Sequence, residues 1–269
     1  MKNKFKYIIY SLVYSIVLFL VVPLLVLFIW SFTKGWAWPS LIPQAFTLQG
    51  WEYLFSASSN ALEALKMSFI TGIGVTIIAI AVSVPAGKAL GIYDFPGKKY
   101  MKIIVLAPII IPPLAVTMGI HITFMKSNLT DTVLGVMLVH LIPTIPYSIR
   151  ILTHVFEAVG NKLEAQAQVL GANTWQRFIH VTLPLIYPGI FSAGVMVFIV
   201  SFSQYFLTFL IGGGRVVTFP MVLFPLVESG DRMLASVYSW VFIVSALLFT
   251  MLMERVFKGG ERPQDHFYL

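Results

Sequence analysis

The sequence predicts an all-α membrane protein with six transmembrane helices, and three observations predict it. Of 269 residues, 58% are apolar and 11% charged, against about 25% charged in a soluble domain. Mean hydropathy is +0.87, so there is too little polar surface to cover a water-soluble globule, and the apolar surface must face lipid. The charges are bunched, leaving six long stretches free of Asp, Glu, Lys and Arg. Zero Cys excludes disulfides and thiolate metal sites, and the five His (His121, His140, His154, His180, His266) have no second His at i,i+3 or i,i+4. Nucleic acid is not an expected partner of the +7 net charge, because the cations sit between apolar segments and not on one basic surface.

A helix crosses the hydrocarbon core with about 20 mostly apolar residues, and one charge at its centre costs about 2.5 to 3.5 kcal/mol. The six charge-free windows run from about Tyr7 to Phe32, Met67 to Gly87, Ile103 to Met125, Thr132 to Ile149, Leu185 to Ile211 and Met233 to Met253. Lys2, Lys4 and Lys6 precede the first, as in a secretory signal, but the run is longer than a cleavable apolar core of about 7 to 15 residues and continues into Trp30 and Ser31. It is expected to stay as a helix.

With the N-terminus inside, 13 of the 18 cations fall on the cytoplasmic side, among them Lys88, Lys98, Lys99, Lys102, Arg150, Lys162, Arg177 and Arg262. The outer side holds Lys34, Lys66, Lys126, Arg215 and Arg232. The positive-inside bias therefore selects both termini cytoplasmic, in a multi-pass membrane protein. The outer segment from Lys34 to Glu63 carries Trp36, Trp38, Pro39, Pro43 and Trp51, residues suited to the membrane interface. The apolar stretch Val216 to Val227, broken by Pro220 and Pro225, is too short to span and reads as a re-entrant or surface helix.

The stretch from about residue 155 to residue 184 is more structured than a connector requires. From Leu163 it reads LEAQAQVLGANTWQRFIHVTLPL. Good helix formers lead to Gly171, where a helix C-terminus favours a left-handed residue. Asn173 with Gln176 three residues later has capping-box spacing, and Pro184 opens the next span. The expectation is a helix, a turn and a helix projecting from the membrane. Apolar Val169, Leu170, Phe178, Val181 and Leu183 give it a face that packs either on a partner or on its own bundle.

These residues resemble the EAA loop of permease subunits of type I ABC importers, whose pattern is E-A-A, three residues, Gly, and later a hydrophobic residue before Leu-Pro. The match runs through Ala167, Leu170, Gly171, Ala172, Phe178, Val181, Leu183 and Pro184. It departs at the start: the family's Glu position falls on Ala165, Gln166 stands where the first Ala is common, and the nearby acid is Glu164, one position earlier. Six spans with this loop after the fourth extend the resemblance over residues 1–269, as one ABC transmembrane domain of MetI-like fold with a cytoplasmic coupling hairpin.

The resemblance implies a permease with no cofactor of its own. ATP and Mg would be bound by two partner ATP-binding cassette subunits, and no G-x-x-x-x-G-K-[ST] is present in the chain. The loop would seat in the ATPase, with Glu164, Ala165, Ala167, Leu170, Gly171, Ala172, Arg177 and Phe178 as coupling residues; Gly171 sets the bend, Leu170 and Phe178 pack, and Glu164 and Arg177 form a polar rim. It also implies a second permease subunit, a related but different chain, and an extracytoplasmic solute-binding protein. Polar residues inside spans are the pathway candidates: Ser201, Gln204 and Tyr205, with Gln204 foremost. Pro108, Pro112, Pro113, Pro143 and Pro146 are expected to interrupt the third and fourth spans, and His121 and His140 to hydrogen-bond between helices. Among relatives, the chain is similar to the spermidine/putrescine permease group, through the Phe202-Ser203-Gln204-Tyr205-Phe206 region leading to Gly212-Gly213-Gly214 and a long first outer loop, which makes polyamine the expected solute.

An ATP-independent secondary transporter or channel is the competing class. It would show ionisable residues deep in spans or inverted repeats of broken helices, and it leaves the inner hairpin unexplained. An intramembrane enzyme would need an H-E-x-x-H or paired acids, which the spans lack.

Overall fold

The computed structural model describes residues 2–36, 43 and 45–258; Trp38, Pro39, Arg262 and His266 lie outside the described residues. The described chain is almost entirely helical. It forms two compact units, one of residues 1–64 and 222–245, the other of residues 65–221 and 246–269.

In the first unit, α1 (Lys2–Trp30) is a single helix through Pro23. Its most apolar stretch is buried nowhere in this chain, as befits a helix that meets lipid or another subunit. After it, Thr33 and Phe46 form an isolated antiparallel bridge, and α2 (Gln49–Phe55) follows. Arg232 ties this segment down: its guanidinium donates to the Trp36 carbonyl at 3.1 Å and lies 5.4 Å from the centre of the Trp30 ring.

The second unit carries the features singled out in the sequence. Here α3 (Ala61–Ile92) runs past the predicted end at Gly87, through Lys88. The charge bounds the apolar window but not the helix, because Lys is a good helix former; Lys88 also finds a carboxylate partner, Glu164. Side chains added at Gly87 and Gly91 would collide with Leu152 and with Phe156 and the Thr153 carbonyl; the two glycines let α3 press on α6 (Val133–Val159). Ser83 and Ser148 hydrogen-bond across the same contact at 2.6 Å.

The third predicted span is two helices, α4 (Lys98–Ile110) and α5 (Pro113–Lys126). Ile111 and Pro112 are extended, with ψ of 124° and 127°, because a residue before proline is steered away from helical geometry and Pro113 then opens the next helix. By contrast Pro108, Pro143 and Pro146 lie within α4 and α6 without ending them, which corrects the expectation that they interrupt the spans. The fifth predicted span is also divided: α9 (Leu183–Phe202) stops, residues 203–205 are non-helical, and α10 (Phe206–Gly212) resumes. Two further helices, α11 (Phe219–Glu228), with Pro225 inside it, and α12 (Arg232–Lys258), contribute residues to both units.

The core of this unit lies where α6 meets α9 and α10. Val136, Val139, Leu207, Ile211 and Val216 form one buried cluster, and Val75, Ala79 and Val197 another. Phe69, Phe198, Phe202 and Phe249 stack beside them, with the Phe198 and Phe249 centroids 3.5 Å apart. Gly189 packs against Val155, again bringing two helices close.

Candidate functional site

The hairpin begins where α6 ends. Gly160 has φ 67° and Asn161 is non-helical, so α7 (Lys162–Val169) leaves the preceding helix through a hinge. Its end is a Schellman turn: Ala172 N–H donates to Ala167 O at 3.0 Å and Gly171 N–H to Gln168 O at 3.0 Å. Gly171 has φ 86°, a left-handed geometry that Gly takes without a Cβ penalty. Two residues later Asn173 and Gln176 make a reciprocal capping box, at 2.8 and 2.9 Å, opening α8 (Thr174–Arg177). A π turn, Phe178–Thr182, joins α8 to α9, so this arm of the hairpin runs as one helical rod from Thr174 to Phe202.

The predicted coupling residues separate into two groups. At the tip, Val169 and Leu170 are 88% and 87% exposed, and Trp175 is 70% exposed. Gly171 and Ala165 are exposed beside them, while Ala167, Ala172, Arg177 and Phe178 are partly covered. The Trp175 ring lies 6.1 Å from that of Phe178. Arg177 holds the two arms together, donating to Gln168 Oε1 at 2.7 Å and to Thr174 Oγ1 at 3.1 Å.

Glu164 faces the other way. Its two oxygens accept from Lys88 Nζ at 2.7 and 2.8 Å, and Oε2 also accepts from Thr182 Oγ1 at 3.1 Å. Burial alone would raise the Glu164 carboxyl; the Lys88 ammonium, the Thr182 hydroxyl and the Arg177 charge outweigh it and hold it below the ordinary glutamate range. This carboxylate is engaged within the chain. Lys88 and Thr182 were missed as site residues in the sequence because the first is 76 residues away from Glu164. Trp175 was missed because it falls outside the apolar pattern of the hairpin.

The second site is the break in the fifth span. His140, fully buried, bridges it: Nδ1 lies 2.9 Å from Ser201 Oγ on α9 and Nε2 2.9 Å from Thr208 Oγ1 on α10. Thr208 has one hydroxyl proton and gives it to the Gln204 carbonyl at 3.0 Å. It therefore accepts from Nε2–H, and in the neutral ring Nδ1 is then the acceptor for Ser201. In that form the chain of bonds runs Ser201 to His140 to Thr208 to Gln204, with the ring proton on Nε2. Ser201 is thus engaged in holding the break, whereas Gln204 and Tyr205 are half-buried at it. His121 differs from His140: its buried Nδ1 has no hydrogen-bond partner among the described residues. Beside α10, an apolar cavity of about 340 Å³ is lined by Ile104, Pro108, Ile111, Ile120, Pro143 and Leu207, so the break of the third span, at Ile111, faces a space that α10 borders through Leu207.

Membrane-length apolar helices, a capped hairpin between two of them and two divided apolar stretches define a helical membrane protein. Residues 83–259 match the family described as binding-protein-dependent transport system inner membrane component. The chain belongs to that family and is a permease subunit of an ABC importer. It is 35% identical over 143 residues, 53% of this chain and 58% of the relative, to the molybdate/tungstate transport system permease protein WtpB of Thermococcus kodakarensis. That match spans less than two thirds of the relative's length. Over 90% of this chain and 91% of the relative, it is 26% identical to the putative 2-aminoethylphosphonate transport system permease protein PhnV of Salmonella typhimurium. In fold, it is similar to a chain in the crystal structure of a bacterial ABC transporter involved in the import of the acidic polysaccharide alginate, with a TM-score of 0.73, 14% identity and 97% of each chain covered.

Proposed function

We propose that this chain forms half of a solute pathway and is driven by a separate ATPase gripping the hairpin, with both termini and the hairpin on the cytoplasmic side of the cell membrane. The observation that carries the reading is the tip: Val169, Leu170 and Trp175 are exposed on a turn fixed by a Schellman motif and a capping box. An ordered, water-facing apolar tip marks a protein contact. A second permease chain would complete the pathway, two ATP-binding cassette subunits would supply the work, and an extracytoplasmic binding protein would deliver the solute.

The solute we propose is a small oxyanion or phosphonate. The relatives described above are named for molybdate, tungstate and 2-aminoethylphosphonate, and the polyamine expectation is withdrawn. The Gln204 break favours the same revision, since it presents amide and phenol groups and no carboxylate for a polycation.

Coexpression with the cognate ATPase and binding protein tests both parts. The ATPase should copurify with the parent chain and be lost with Leu170→Asp; retention would sink the coupling role. Vesicles holding the intact complex should take up tungstate, molybdate or 2-aminoethylphosphonate and exclude spermidine. Spermidine uptake would overturn the solute assignment.

A further inference from the structure

Glu164 is the single acid between Gly160 and Pro184, and the chain places it away from the exposed tip. Three segments meet on its carboxylate: Lys88 of α3, Thr182 of the π turn that leads into α9, and α7 itself. The pair is largely shielded, with the Lys88 and Glu164 side chains 21% and 13% exposed, and Thr182 is buried. Water competes weakly for such a pair, and the double contact of Lys88 fixes its direction.

The backbone explains why a tie is needed there. One arm of the hairpin is continuous with α9, and the other leaves α6 through Gly160 and Asn161 and is joined to the first by the Gly171 turn and by Arg177. Left to these links, α7 would follow α9 but would have no tie to α3. No other hydrogen bond or ion pair among the described residues joins α7 to α3.

We infer that the Lys88–Glu164–Thr182 cluster is a latch that makes the hairpin and the inner end of α3 move as one body, so that Lys88 is a positioning residue for coupling and Glu164 acts inward and does not touch the ATPase. The inference rests on the proposed coupling role of the hairpin. A push at Leu170 then reaches α9 through backbone and α3 through one carboxylate. Breaking a shielded pair by removing one partner leaves the other charge uncompensated, whereas exchanging the two charges restores it.

The test compares parent, Lys88→Glu, Glu164→Lys and the exchanged double variant K88E/E164K. Each is measured as the intact complex with its ATPase in phosphatidylethanolamine/phosphatidylglycerol nanodiscs, by hydrogen exchange with and without ATP. In the parent, ATP should change exchange in residues 162–170 and in 84–92 together. Each single variant should keep the ATPase bound, raise exchange of residues 162–170 about ten-fold and lose the ATP response of 84–92. The double variant should recover both, and Lys88→Arg should behave as the parent. Unchanged exchange in the single variants, or a double variant that recovers nothing, overturns the latch. Loss of the ATPase from Glu164→Lys but not from Lys88→Glu overturns it too, by showing that Glu164 touches the ATPase. Failure of the coupling reading is separate: Leu170→Asp would keep the ATPase, while exchange of 162–170 in the ATP-free chain still reads the latch.

Discussion

Replacing His140 by Leu keeps most of the side-chain volume and removes both ring nitrogens, so its effect isolates the hydrogen bonds that bridge α9 and α10. The two bonds are 2.9 Å each and fully buried. Thr208 remains satisfied through the Gln204 carbonyl at 3.0 Å, so the loss falls mainly on Ser201, 2% exposed, whose hydroxyl forfeits its acceptor. Interhelical side-chain bonds in membranes average about 0.6 kcal/mol and reach about 1.7, and an unsatisfied buried hydroxyl costs about 1 to 3. A destabilisation of about 2 kcal/mol is expected. The assay is SDS-titrated unfolding of the intact chain in bicelles, run as a double-mutant cycle of His140→Leu with Ser201→Ala. The two changes should couple by about 1 kcal/mol, because each removes the same bond, and the Thr208→Val cycle should couple less. Strict additivity with Ser201→Ala, or parent-like stability of His140→Leu, would refute the bonding chain and with it the Nε2–H tautomer.

Gly171→Asn should keep uptake close to parent and Gly171→Pro should abolish it: no heavy atom lies within 4 Å of an added Cβ and φ is 86°, so the cost is about 1 kcal/mol for a residue that tolerates left-handed geometry and prohibitive for proline; six-span insertion checked by glycosylation mapping should survive in both. Because the folded Glu164 carboxyl lies below its unfolded value, its contribution should be complete above the ordinary glutamate range and vanish as pH falls through the lowered folded value; hairpin protection factors, with the intrinsic pH dependence of exchange divided out, should be flat from about pH 8 to about 5 and fall only in stronger acid. A fall already near pH 6 would contradict this. The purified chain alone should hydrolyse no ATP, measured as phosphate release. Cysteines at Trp36 should react with an impermeant maleimide from outside and those at Lys98 should not, as the distribution of Lys and Arg requires.

What was legible in the sequence was what neighbours in the chain decide. Hydropathy finds α1, α6 and α12 because a window sums bulk apolarity, and Gly171 with Asn173 and Gln176 announce the hairpin turn because both motifs close within six residues. The misread features depend on distant partners. The helix α3 continues through Lys88, a good helix former, and the acid that receives its charge lies 76 positions on. The paired prolines at 112 and 113 were visible in the third span, but the equal weight given to Pro108, Pro143 and Pro146 hid that only the pair ends a helix. The break at 203–205 carries no Gly or Pro; what accompanies it is a histidine on another helix bonded to both sides. This changes how the polar cluster at the fifth span is read. Polar density within an apolar helix signals either a pathway or an internal tie, and composition does not separate the two. Partners do: Ser201 and Thr208 are joined to His140, which makes them the frame of the break, and Gln204 offers its carbonyl to that frame while its side-chain amide has no partner among the described residues. Of the three pathway candidates, Ser201 is therefore engaged within the chain, whereas Gln204 keeps a side-chain amide without a partner among the described residues.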